Sequence, residues 1–205
     1  MLLSSQNFAH HAAIPSEFAY ARIAEPMTLS SNRNPHLAWA EVPEGTQSFA
    51  LFCVDIDVPI DFTRFNQAGQ VIAADVPRQD FVHWVMVDMP SDLRELAAGS
   101  CADGTPKGGK ANPPGPLGAR QGSNDYTGFM KDGDYCGYDG PCPPWNDLRV
   151  HHYHFRLYAL SVARLSVPER FGLVDAQAAM RGCILAQAEL VGTYSLNAGL
   201  LAAGT

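Results

Sequence analysis

Three stretches of the chain show the apolar, β-branched and aromatic pattern of buried β-strands. Two of them are residues 46–54 and 81–89. The first runs directly into the polar group Asp55-Ile56-Asp57, and the second stops at Pro90. Short apolar runs that end at such residues are typical of strands buried on both faces.

The third stretch, residues 151–160, alternates in character along its length. An extended chain places His151 and Tyr153 on one face, and His152 and His154 on the opposite face. An imidazole and a phenol can therefore converge on one ligand. A His-x-His pair also suits metal binding, so a metal site on the second face stays open.

A helix is predicted near the end of the sequence, and two long loops precede it. Asp175 is its predicted N-cap, apolar residues follow at helical spacing through residues 176–191, and Gly192 is a plausible stop. Segments 58–80 and 99–147 carry turn residues with little periodicity. Loops of that length usually carry function or cover a surface. The pattern predicts an antiparallel β core with one or two helices docked late.

Composition supports this fold and restricts the classes of partner. The 205 residues include 18 glycines and 15 prolines, which favours turns and short strands over a helical bundle. The formal net charge of -7 disfavours nucleic acid and anionic membranes, so an anion site must be a local arrangement. The sequence shows neither a secretory signal nor an apolar run of about 18 residues. A single domain over 1–205 in the cytoplasm is the expectation.

The five cysteines do not indicate a disulfide framework or a structural zinc site, because their number is odd and no CxxC pair occurs. Cys136 and Cys142 flank a loop rich in glycine and proline and are the one candidate pair. Cys53 and Cys183 lie in apolar segments and are expected to be small core residues.

Candidate chemistry is carried by residues that each have an ordinary structural explanation. Asp55 and Asp57 can cap backbone N–H groups in a loop, or one of them can orient a histidine or accept from a ligand. His83, inside an apolar strand, can be a satisfied core histidine or a ligand group. The prolines of segment 140–144 fix φ and remove donors, which suits either a pocket wall or a rigid crossover loop.

The order of these motifs along the chain is more specific than any one of them. They are Asn34-Pro35-His36-Leu37-Ala38-Trp39, Asp55-x-Asp57-x-Pro59, His83-Trp84, Gly140-Pro141-x-Pro143-Pro144 and His151-x-Tyr153.

In this order, the motifs resemble the phosphatidylethanolamine-binding family, and most closely its bacterial Raf-kinase-inhibitor-like branch. The resemblance extends from about residue 14 to residue 195. It implies a mainly β fold, an antiparallel Greek-key sandwich-like core with one or two C-terminal helices. It also implies a ligand-binding pocket in which Asp57 is the structural companion of Asp55. The implied pocket residues are Asp55, Asp57, His83, Gly140, Pro141, Pro143, His151 and Tyr153.

The chain departs from the family pattern at several places. Ile56 stands where the family usually has a proline between the two aspartates, and His152 replaces the usual arginine. Segments 60–82 and 99–135 are longer than expected for a bacterial member, and both flank the proposed pocket. They are expected to reshape its mouth or to form a partner surface.

The resemblance implies a binding protein for small anions, phosphate or phosphorylated head groups, with a regulatory role like that of a kinase or protease inhibitor. It implies no enzyme activity, cofactor or resident metal. The family is often dimeric, so a homodimer is also an expectation. Two alternatives stay open: an Asp/His hydrolase, with or without a metal ion, and an interaction protein with a vestigial pocket. No nucleophile elbow, HExxH or P-loop occurs to favour the hydrolase.

Overall fold

The computed structural model describes residues 1–202, with side chains through residue 200. Strands dominate the described part of the chain, and its helices are short. In chain order the strands are β1 Leu2–Ser4, β2 Ala21–Ile23, β3 Met27–Leu29, β4 Leu37–Ala40, β5 Ser48–Pro59, β6 Arg78–Pro90, β7 Glu95–Leu96, β8 Arg120–Gln121, β9 His151–Leu160 and β10 Ile184–Tyr194. The α-helices are α1 Tyr126–Met130, α2 Leu173–Ala179 and α3 Ala198–Ala202.

The main sheet has five antiparallel strands in the order β10-β9-β5-β6-β8. Among the strands of this sheet, β5, β6 and β8 follow one another along the chain and pair in that order, and β9 then returns to pair with β5 on the side away from β6. This arrangement, in which the fourth strand returns to lie beside the first, is a Greek key. A smaller sheet, β1-β4-β7, and the hairpin β2-β3 complete the fold.

The central strand β5 is buried on both faces, which explains its continuous apolar run. On one face, Phe49 packs against Trp39 of the smaller sheet with ring centroids 5.5 Å apart. On the other face, Phe52 belongs to a cluster that contains Ala176 and Met180 at α2. The expected mainly β, sandwich-like fold with late helices is thereby confirmed.

The predicted strands are present, and two of them are longer than the sequence indicated. Of the predicted strand 46–54, residues 48–54 belong to β5, which continues through Asp55 and Asp57, so the two aspartates lie within a strand and not in a loop. Residues 81–89 belong to β6. Residues 151–160 match β9, whose alternating buried and partly exposed side chains confirm the predicted faces.

The helix predicted from Asp175 to residue 191 is wrong for most of its length. Residues 173–179 are helical, but Asp175 lies in the first turn, where its carboxylate accepts a hydrogen bond from the Gly172 amide at 3.0 Å. Residues 184–194 form the edge strand β10. The apolar spacing of this segment is compatible with a helix and equally with a half-buried strand. Pairing with β9 at ten positions decided in favour of the strand.

The long loops contain short elements of their own. Segment 58–80 includes a single 3₁₀ turn at Phe62–Arg64, and segment 99–147 includes β8 and α1. All five cysteines are free, which leaves Cys136 and Cys142 unlinked. Cys53 lies in the core as expected, whereas Cys183 is partly exposed. None of the helices in residues 1–202 has the length and apolar character needed to cross a membrane.

Candidate functional site

A cavity of about 300 Å³ opens at one end of the main sheet. Its floor is formed by Asp55 of β5, His83 of β6, and His151 and Tyr153 of β9. Strand register brings them together, because Asp55 is the direct cross-strand partner of Tyr153. The remaining lining residues are mostly apolar or aromatic: Tyr20, Met27, Leu29, Val58, Phe65, Asn66, Phe81, Tyr126, Phe129, Met130, Cys142, Pro143 and Pro144.

His151 is clamped between two carboxylates. Its Nδ1 donates to Asp55 Oδ2 at 2.7 Å, and its Nε2 donates to Asp147 Oδ2 at 3.1 Å. Burial alone would lower the pKa of His151, but Asp55 and Asp147 outweigh it and raise the pKa to about 9. His151 is therefore an imidazolium at neutral pH, and both of its N–H groups are already used within the protein.

Asp55 stays ionised although it is buried. Burial opposes its charge, but the His151 imidazolium and the hydrogen bonds to the carboxylate lower its pKa below the usual value. One of those bonds comes from the Asp57 amide, 2.8 Å from Asp55 Oδ1. The floor therefore presents a carboxylate that is fixed in position and accepts hydrogen bonds.

The buried charges around His151 are balanced. Asp147 also receives both terminal nitrogens of Arg78, at 2.6 and 3.1 Å. Arg78, Asp147, His151 and Asp55 thus form a chain of two positive and two negative groups. Balanced, hydrogen-bonded ion pairs avoid the desolvation cost of an unpaired buried charge.

His83 has a different environment from His151. Its Nδ1 is 2.6 Å from the backbone carbonyl oxygen of Asp139, so that nitrogen carries the proton and Nε2 is left for a ligand. Burial lowers the pKa of His83 below its usual value, although Asp55 acts in the opposite sense. At neutral pH the ring is uncharged, and it gains a second donor only on acidification.

Tyr153 supplies a hydroxyl that lacks a partner. The side chain is fully buried, and within the described part of the chain no group makes a hydrogen bond of normal geometry to its Oη, although the Asp55 carboxylate lies close to it. Burial and the neighbouring Asp55 raise the pKa of this phenol well above its usual value, so it remains a donor. A buried hydroxyl without a partner is costly, and a ligand in the cavity can satisfy it.

The other predicted pocket residues have different positions. Pro143 lines the cavity, but Asp57, Gly140 and Pro141 do not. Asp57 turns away from the floor and accepts from the His152 amide and ring and from Arg149, at 2.6 to 2.9 Å. A role of Asp57, Gly140 and Pro141 in ligand binding stays a prediction. The geometry gives these three residues structural contacts within the protein.

Gly140 and Pro141 fix the loop that forms the pocket wall. Gly140 packs against the Phe18 backbone so closely that a Cβ atom would collide with the Phe18 carbonyl oxygen. Its carbonyl accepts from the Tyr126 hydroxyl at 3.0 Å, and the Pro141 carbonyl accepts from the Tyr20 amide at 2.9 Å. These contacts position two aromatic side chains that do line the cavity.

Sequence reasoning missed a polar cluster beneath His83. The Asp139 carboxylate is buried and accepts from Asn32 at 2.8 Å and Asn124 at 2.9 Å, and it forms an ion pair with Lys110. The three partners are 15, 29 and 107 positions from Asp139 in the chain, so no local pattern marked them. Asp147 had one available signal, because it precedes His151 by four residues.

The part of the chain that the structure describes contains no preassembled set of metal ligands, as the metal-site alternative would require. Within residues 1–202, no group of three or more histidine, cysteine or acidic side chains is placed to hold a metal ion. His152, half of the proposed His-x-His pair, instead binds Asp57 through Nδ1 at 2.7 Å.

Comparisons with known proteins agree with this fold. The family model described as phosphatidylethanolamine-binding protein matches residues 4–195. A UPF0098 protein of Aquifex aeolicus is 37% identical over 161 residues, which cover 78% of this chain and 73% of that protein. The UPF0098 protein YbhB of Escherichia coli is 35% identical over 138 residues, which cover 67% of this chain and 66% of YbhB.

Solved structures show the same likeness. The crystal structure of Escherichia coli YbcL, described as a new member of the mammalian PEBP family, superposes with a TM-score of 0.68 at 25% identity. That match covers 95% of this chain and 97% of YbcL. A homologue from Chlamydia trachomatis, CT736, gives a TM-score of 0.66 at 27% identity, covering 95% of this chain and 96% of CT736. With a family model that spans nearly the whole sequence, the chain belongs to the phosphatidylethanolamine-binding protein family.

Proposed function

We propose that the protein binds a small phosphorylated or otherwise anionic ligand on the floor formed by Asp55, His83 and Tyr153. One observation carries the proposal: a cavity of about 300 Å³ contains a fully buried tyrosine hydroxyl that has no partner among the described residues. Next to it, His83 has its Nε2 free because Nδ1 is engaged by the Asp139 carbonyl.

The hydrogen-bonding groups of the floor determine which form of an anion fits. His151 cannot donate to a ligand, because Asp55 and Asp147 use both of its nitrogens. The ligand therefore meets one hydroxyl donor, one histidine and one carboxylate acceptor. A phosphate monoester that keeps one acidic proton can accept from Tyr153 and donate to Asp55. A fully ionised phosphate would be repelled by Asp55.

We propose binding as the activity, and not turnover of the ligand. Burial raises the pKa of Cys142, the cysteine that lines the cavity, to about 12, so its thiol is protonated and a poor nucleophile. Asp55 is held by His151 and the Asp57 amide. A regulatory role, in which ligand occupancy changes the affinity for a kinase or protease, rests on the family resemblance alone.

The proposal is tested by calorimetric titration with phosphate, phosphoethanolamine and sulfate at about pH 8, 6 and 5. Sulfate keeps both charges over this range and cannot donate to Asp55, so it should bind more weakly than phosphate at pH 6, and a change in its affinity with pH reports protonation of the protein. Affinity should rise as the pH falls, because an anion stabilises the charged form of His83. Absence of binding by all three anions at pH 6 and below would refute the proposal.

Two tyrosines of β9 provide a matched pair of variants. Tyr153→Phe removes the unpartnered hydroxyl and should weaken phosphate binding about 5- to 10-fold, the usual contribution of one hydrogen bond. Tyr158→Phe changes the opposite face of the same strand and should leave the affinity unchanged. Equal effects of the two substitutions would argue against a ligand at the floor.

A further inference from the structure

The cavity extends from its polar floor into an apolar upper part that a bare anion would leave empty. Immediately above the floor, Tyr20 and Tyr126 stack with centroids 4.9 Å apart, and Phe81 meets Tyr126 edge-on at 5.3 Å. Beyond these rings, the wall is apolar apart from Asn66. We call this outer ring the collar, and it consists of Met27, Leu29, Phe65, Phe129 and Met130.

The collar is built by segments that are remote from one another in sequence. Met27 and Leu29 lie on β3, Phe65 follows the 3₁₀ turn in the first long loop, and Phe129 and Met130 end α1 in the second long loop. The two long loops meet through Phe62, whose ring centroid is 5.5 Å from that of Phe129 and 5.0 Å from that of Phe65. The long loops thus contribute to the ligand cavity itself.

Several collar side chains remain accessible to solvent, although apolar contacts surround them. Leu29, Phe129 and Met130 keep 55%, 41% and 40% of their surface exposed. All three line the cavity that also contains the buried polar floor. A ligand that reaches the floor and also carries an apolar group would cover this surface, which is the usual source of affinity in small-molecule sites.

The size of the cavity limits the apolar group to a compact one. An apolar cavity of about 150 Å³ holds a molecule of benzene. The cavity of about 300 Å³ therefore has room for one ring or a short branched chain in addition to a phosphate group. Five aromatic side chains in the wall favour a ring, because aromatic pairs gain from edge and offset contacts beyond burial of area.

We propose that the ligand class is a phosphate monoester with a compact, preferably aromatic, apolar group, its phosphate on the floor and its apolar group in the collar. The inference rests on the proposed function, because the phosphate is placed where that function places it. The collar then determines specificity among monoesters. A bilayer surface is the less favoured source of such a ligand, because the chain has a net charge of -7.

The test compares inorganic phosphate, methyl phosphate and phenyl phosphate in titrations at about pH 6. Phenyl phosphate is expected to bind at least tenfold more tightly than the other two. Phe129→Ala and Leu29→Ala, in the second long loop and on β3, should each reduce that advantage at least threefold. Leu117→Ala, an exposed position in the second long loop that does not line the cavity, should leave the advantage intact.

The outcomes separate the two proposals. If inorganic phosphate binds but phenyl phosphate binds no better, the collar inference is overturned and the proposed function stands. If none of the three binds, both fall. A further arm uses vesicles of phosphatidylglycerol. If the protein binds these vesicles and phenyl phosphate does not displace it, a lipid surface is the better ligand and the inference is again overturned. Because each variant is judged by a ratio of affinities, a general loss of folding cannot imitate the expected result.

Discussion

The roles of the two pocket histidines are set by their hydrogen-bond partners and not by their position in a motif. Both are buried, but His151 lies between two carboxylates while His83 donates to a backbone carbonyl. The first is therefore held charged, and burial keeps the second neutral. The sequence predicted two imidazoles that bind an anion, whereas the structure leaves one of them available to a ligand and makes the other a support for Asp55.

Because His151 is charged in the folded protein, the stability of the fold should decrease at alkaline pH. Because its pKa is raised from 6.5 to about 9 in the folded protein, its contribution is complete below about pH 6.5 and is lost as the pH rises through 9. We expect the free energy of unfolding to fall by at most about 3 kcal/mol over this range, measured by urea unfolding.

A pair of histidine variants isolates this effect. His151→Gln should remove the alkaline decline in stability, and His154→Gln, on the opposite face of the same strand, should retain it. A decline of equal size in the protein with His151→Gln would show that another group titrates.

Segment 184–194 shows how pairing determines the type of an element. Its leucines and alanines fit a helix and a strand about equally well, and the helix prediction failed because β9 offered an open edge. The backbone groups of Val191 and Thr193 point away from β9 and bond to the N-terminal segment at residues 11–14. Because the direction of the backbone N–H and C=O groups alternates along a strand, those of Gln187 point towards solvent and those of Ala188 point towards β9.

This alternation predicts unequal effects of proline at adjacent positions. Ala188→Pro removes a ladder hydrogen bond and should cost about 2–3 kcal/mol more in unfolding free energy than Gln187→Pro, which removes none. Chemical denaturation of the two variants measures the difference. Equal and large losses in both variants would instead fit the interior of a helix.

At the scale of the whole molecule, buried polar side chains tie the loops to the sheet. Asp139 is held by Asn32 and Asn124, and it pairs with Lys110, so three distant segments converge on one carboxylate. The backbone carbonyl of the same residue orients His83. The position of the site therefore depends on an ion pair that lies outside the cavity.

A double-mutant cycle tests this coupling. Lys110→Met and Asp139→Asn should each cost about 3 kcal/mol of unfolding free energy, because each leaves a polar partner buried without its counterpart. The double variant should lose clearly less than the sum of the two single losses. Additive losses, measured by urea unfolding, would show that the pair contributes no coupling.

The sequence by itself determined the strands that carry the site and the family to which the chain belongs. Alternation along residues 151–160 and the apolar runs ending at Asp55 and Pro90 are local signals, because a strand must match its side chains to buried and exposed faces. Ordered motifs such as His83-Trp84 and His151-x-Tyr153 added the family. The strand signals lie within a few consecutive residues, and the family signal adds the order of such short motifs along the chain.

Only the tertiary structure decided which groups meet at the floor and what each of them can do. Asp55 is 96 positions from His151, and the cluster around Asp139 and the collar likewise join distant parts of the chain. Their protonation and availability follow from burial and from hydrogen bonds across those separations, which no local pattern encodes. The edge strand β10 was decided in the same way, because strand pairing is a long-range contact that competes with local propensity.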